Sequence, residues 1–92
     1  MYFITTISEK NGNRCVGYFS ELDLAIDMVK NNAGDLNEAG YYPYAVIEYV
    51  EEGLYRYDQH PMWFKYDEIT EGYEKSERPD FIPNNHVGFG IG

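Results

Sequence analysis

One cysteine, few bases and no long apolar run are what this chain of 92 residues is short of. The single thiol, Cys15, excludes an internal disulfide. No apolar stretch approaches the roughly 18 residues of a membrane span, so no membrane association is expected. Met1-Tyr2-Phe3-Ile4 has neither the basic leader nor the apolar length of a secretory signal, and no Asn-x-Ser/Thr acceptor occurs, so the expected compartment is the cytoplasm. Seven Lys and Arg stand against 16 Asp and Glu. Phosphate-backbone binding is driven by bases that neutralise phosphates, so no direct nucleic-acid binding is expected.

Catalytic and cofactor signatures are also missing. Cys15 with His60 or His86 has no surrounding nucleophile signature, and its mid-strand position predicts a buried structural thiol. Asp58-x-His60 with His86 offers too few ligands at an identifiable spacing for a metal. Asp35, Asn37 and Gly40 match the opening of an EF-hand loop, but Ala39 and Val46 fall where later oxygens are needed, so a loop after a helix is the better account. The glycines in His86-Val87-Gly88-Phe89-Gly90-Ile91-Gly92 precede no helix that would supply a phosphate-binding dipole. Neither enzyme activity nor a cofactor is expected.

What the chain has in surplus is acid and tyrosine: net charge -9 and ten tyrosines. Residues 1–33 carry four acids against three bases, and residues 34–92 carry twelve against four. Such lopsidedness predicts an acidic face, and rings interleaved with the acids predict a protein-binding one. The candidate partner-binding residues are therefore Glu48, Glu51, Glu52, Tyr55, Tyr57, Asp58, Trp63, Tyr66, Asp67, Glu68 and Glu71.

The predicted fold is one α+β domain, a mainly antiparallel sheet with one helix packed on a face. Tyr2–Ser8 and Arg14–Phe19 read as two strands, joined through an Asn11-Gly12 pair of the kind type I′ hairpins prefer. Ser20 reads as a helix N-cap, with Asp23 completing a capping box and Phe19 stapling onto Leu24. Leu22, Ala25, Ile26 and Val29 form the helix's apolar stripe, and Asn31, Asn32 and Gly34 its stop. Tyr44–Val50 reads as a central strand, Leu54–Tyr57 as its continuation beyond a turn, and Met62–Tyr66 with Tyr73–Lys75 as a C-terminal hairpin. Residues 1–75 would form the core, and 76–92 an extended tail with Phe81 and Ile82 as anchors; strand 86–92 could instead add to a second chain.

The runs Val16-Gly17-Tyr18-Phe19-Ser20, Asn32-Ala33-Gly34-Asp35-Leu36-Asn37-Glu38, Tyr44-Ala45-Val46-Ile47-Glu48, Glu52-Gly53-Leu54-Tyr55 and His86-Val87-Gly88-Phe89-Gly90 resemble those of a group of small uncharacterised acidic proteins of gut Firmicutes and their phages. The resemblance implies no activity of its own. By analogy with phage context it implies an anti-defence inhibitor, anti-CRISPR-like, acting on a basic nucleic-acid-binding host protein such as a CRISPR effector. The expectation is thus a non-enzymatic binder whose carboxylates stand in for phosphates; the alternative is a homo-oligomer, such as a homodimer, that sequesters a nucleotide signal.

Overall fold

The computed structural model of the chain describes residues 1–53 and 60–82. The predicted strand at Leu54–Tyr57 and the glycine-alternating ending lie outside the described residues. Five strands, β1 (Tyr2–Ser8), β2 (Gly12–Phe19), β3 (Tyr44–Tyr49), β4 (Met62–Asp67) and β5 (Gly72–Ser76), form one antiparallel sheet in the order β2-β1-β3-β4-β5. The single described helix, α1 (Leu22–Lys30), lies on one face, as the apolar pattern requires. The fold is therefore α+β.

Strand alternation sorts β1 between the two faces. Tyr2 and Ile4 join Ala45, Ile47, Phe64 and Tyr73 beneath Ala25 and Val29 of the helix. Ile7 joins Val46 and Trp63 on the second face, where Ile82 buries itself and Phe81 packs alongside. Both expected anchors are thus in place. The strap that carries them is short: Ile82 N–H donates to Pro79 C=O at 3.1 Å, and the Arg78 guanidinium donates to the Ile82 carbonyl.

Local chemistry departs from expectation at three places. The β1–β2 connection is a three-residue loop closed by the Ser8–Gly12 pair, and only Gly12 is left-handed (φ 82°), whereas type I′ needs two such residues. The Ser8 hydroxyl accepts from the backbone N–H groups of Lys10 and Asn11, at 3.2 and 3.1 Å, and so organises this loop. At the helix start, Glu21 is the N-cap, without a side-chain bond, so the Ser20 capping box and the Phe19–Leu24 staple do not form. Phe19 is still paired to Tyr2 within the sheet and packs on the core, and Leu24 faces solvent. The third departure is Cys15, which is exposed and not buried. It lies on an edge strand beside a register shift between Ile4 and Thr5, where nothing packs over it among the described residues.

The helix ends as its sequence predicts. Asn32 is left-handed (φ 49°), and Ala33 N–H and Asn32 N–H donate to the carbonyls of Met28 and Val29, the paired bonds of a Schellman stop. This stop seats the Lys30 carbonyl against Gly72: a Cβ added there would lie 1.8 Å from that oxygen. Gly72 is thus the contact that admits α1 to β5.

Candidate functional site

The structure disperses the predicted site. Glu48 is buried at 5% exposure on the second face, level with Phe3, and Trp63 is core at 7%. Tyr66 is half-buried on the helix face, its ring edge-on to Tyr73 with centroids 5.5 Å apart. Interleaving of rings and acids in sequence is here the ordinary inward and outward alternation of strands. Asp67 accepts the Ile69 N–H at 2.9 Å and so closes the β4–β5 turn, while Glu68 and Glu71 project from it. Glu51 and Glu52 are exposed just past β3. Tyr55, Tyr57 and Asp58 lie outside the described residues.

Strand register separates the exposed acids into two groups. Tyr44 opposes Lys65 and Tyr2 opposes Tyr49, and Val50 exchanges backbone bonds with Met1 at 2.8 and 3.0 Å. The Asp67 level and the Val50 level are therefore opposite ends of the sheet, ~25 Å apart at about 3.3 Å per residue. At the Val50 end, Glu51 and Glu52 are accompanied by Glu21 and Asp23, since Phe19, which precedes the helix, pairs with Tyr2 in the strand next to Tyr49. At the Asp67 end, Glu68 and Glu71 share the surface with Lys10, Lys30 and Lys65. At the first end the Met1 ammonium is the one cation that register places among these acids, within the described residues, so the acidic excess is larger there.

Carboxylates at the Val50 end also lack salt bridges among the described residues. Glu21, Asp23, Glu51 and Glu52 make no ion pair among the described residues. By contrast, Arg14 pairs with Glu38 and lies 4.8 Å over the Tyr42 ring, while the Tyr73 hydroxyl donates to the Tyr42 carbonyl at 2.6 Å. Burial pushes the Tyr73 phenol well above its ordinary range, the neighbouring Tyr66 adds to this, and Arg14 works against it. Arg14, Tyr42 and Tyr73 therefore latch the left-handed loop that holds Asp35, Glu38 and Ala39 onto the helix face; they serve the fold.

One further feature escaped the sequence reading. An open depression of ≈ 320 Å³ lies between the β1–β2 loop and the approach to β3, lined by Glu9, Lys10, Tyr41, Pro43, Tyr44 and Phe81 among others. Its legible signal was Tyr41-Tyr42-Pro43-Tyr44, which concentrates rings within one connection. Asn11 Nδ2 donates to the Tyr41 carbonyl at 3.3 Å and ties the two rims together. Tyr44 and Phe81 meet edge-on with centroids 5.7 Å apart.

Among the described residues no group of three or more His, Cys, Asp or Glu side chains could hold a metal ion. None of the described helices is long and apolar enough to cross a membrane. Comparison with protein-family models, curated proteins and solved structures finds no match for the chain.

Proposed function

We propose that this chain is a non-enzymatic binding protein whose Val50-end carboxylates occupy a basic nucleic-acid-binding site on a partner protein. One observation carries the reading. Glu21, Asp23, Glu51 and Glu52 converge from two separate elements on one end of the sheet and have no ion-pair partner there among the described residues. Strands two apart in a sheet are separated by about 10 Å, comparable with the Debye length at physiological salt, so these charges act on a partner as one field. Carboxylates accept the same charge-assisted bonds from Lys and Arg that phosphates do. The resemblance to phage-associated proteins directs the search for that partner to host defence nucleases, CRISPR effectors among them.

The test divides the acids as the sheet divides them. Reversal of Glu51 and Glu52 to lysine should abolish partner binding, reversal of Asp67 and Glu68 should reduce it only slightly, and duplex DNA should compete with the unmodified protein. Equal binding by the Glu51→Lys/Glu52→Lys variant, with its fold intact by circular dichroism, would refute the reading; so would indifference to DNA.

A further inference from the structure

The aromatic depression at the other end of the molecule lies ~25 Å from those carboxylates by strand register and has its own chemistry. We propose that it is an independent recognition site for a guanidinium group, an arginine side chain presented by a protein or peptide. Three rings line it with Pro43: Tyr41, 61% exposed, and the half-buried Tyr44 and Phe81, which meet edge-on. An exposed tyrosine face attracts cations through its quadrupole, and guanidinium, planar and weakly hydrated, stacks there better than ammonium does.

Neighbouring rings in this structure already receive the chain's own cations. Arg14 lies 4.8 Å over Tyr42, and Lys65 lies 6.0 Å over Tyr44. Tyr41 is the ring of this stretch with no such cation among the described residues. Glu9 supplies a carboxylate on the rim, and it makes no ion pair among the described residues.

Charge decides between arginine and the other planar ligand that rings accept, a nucleobase. A nucleotide brings phosphates to a chain of net charge -9, and among the described residues the bases there are Lys10 on the lining and Lys65 over Tyr44.

The experiment is a ¹⁵N-edited NMR titration of the full chain with acetyl-Gly-Arg-Gly-amide, its citrulline counterpart and AMP. Citrulline keeps the planar shape and removes the charge. The arginine peptide should shift the amides of Glu9, Tyr41, Tyr44 and Phe81, and the citrulline peptide should bind at least about threefold more weakly. Tyr41→Ala and Glu9→Gln should each weaken arginine binding by about two- to fivefold. Lys10→Ala should tighten it. Both side chains at positions 10 and 41 are exposed, and the dispersion of the same spectra reports that each variant is folded. The proposal is overturned if the two peptides bind equally, if AMP shifts these amides and Lys10→Ala weakens that, or if the arginine peptide perturbs only the Val50 end. The last result would leave the acidic-surface reading standing, and Glu51→Lys/Glu52→Lys should leave binding at the depression unchanged.

Discussion

The two faces of the sheet are closed by different means. On one, a nine-residue helix lays Ala25 and Val29, both at 0% exposure, over Ile4, Ala45, Ile47, Phe64 and Tyr73. On the other, within the described residues, the short segment ending at Phe81 and Ile82 covers Ile7, Val46 and Trp63. A helix brings its own hydrogen bonds and a stripe of apolar side chains; the described part of the strap brings two side chains and depends on the sheet for its order. The helix face should therefore hold the molecule's stability, while the strap face has a closure that opens at lower cost.

The strongest way to break this contrast is at the point where the helix seats. In Gly72→Ala the new methyl would meet the Lys30 carbonyl, a backbone atom that cannot turn aside. The expected loss is about 3 kcal/mol or more in urea denaturation, with a folded but expanded state as the limiting outcome. A loss under about 1 kcal/mol would mean that α1 tolerates displacement, and the helix face would lose its claim to rigidity.

A matched pair of truncations compares the faces directly. Ile4 beneath the helix and Ile82 on the strap are both nearly fully buried, at 2% and 5% exposure, and lose the same atoms on replacement by alanine. Ile4→Ala should cost about 4 kcal/mol, because the helix and three strands cannot collapse into the cavity. Ile82→Ala should cost about 2 kcal/mol, because the strap can settle. Equal costs would show the strap to be as firmly ordered as the helix.

How much of this was legible in the sequence follows from which interactions are local. Strands Tyr2–Ser8 and Met62–Tyr66, the latter one residue longer in the structure, the helical stripe from Leu22 to Val29 and the Asn32 stop are written in periodicity and turn chemistry, and sequence reading found each of them. The burial of Phe81 and Ile82 was legible too, as apolar residues stranded in a Pro-bounded tail. The site was less so. Whether Trp63 and Tyr66 face the core or a partner depends on register against β3 and β5, which single strands do not state. The acids at Glu51 and Glu68 are 17 positions apart in sequence and look like one patch, yet one antiparallel return sends them to opposite ends. Cys15 misled for a related reason: mid-strand placement predicts burial only for a strand that is not at the sheet edge.

The finest probe of the contrast uses two adjacent threonines on the central strand β1. Thr5 points to the strap face and Thr6 to the helix face, since Thr5 opposes Val46 and Thr6 opposes Ala45. Both are at 0% exposure, and neither hydroxyl has a hydrogen-bond partner among the described residues. A buried hydroxyl without a partner forfeits its bonds to water, so replacement by the isosteric valine should stabilise each site, by about 1 kcal/mol at most. The gain should differ between them. On the helix face the closure is the firmer one, so the Thr6 hydroxyl should stay dry and Thr6→Val should realise the full gain in urea midpoint. Under a strap that opens, the Thr5 hydroxyl is intermittently hydrated and the native state has already recovered part of its loss, so Thr5→Val should gain less, about half as much. Equal gains would make the two faces equally dry and remove the contrast; a loss on Thr6→Val would reveal a bond to that hydroxyl and contradict the packing described for the helix face.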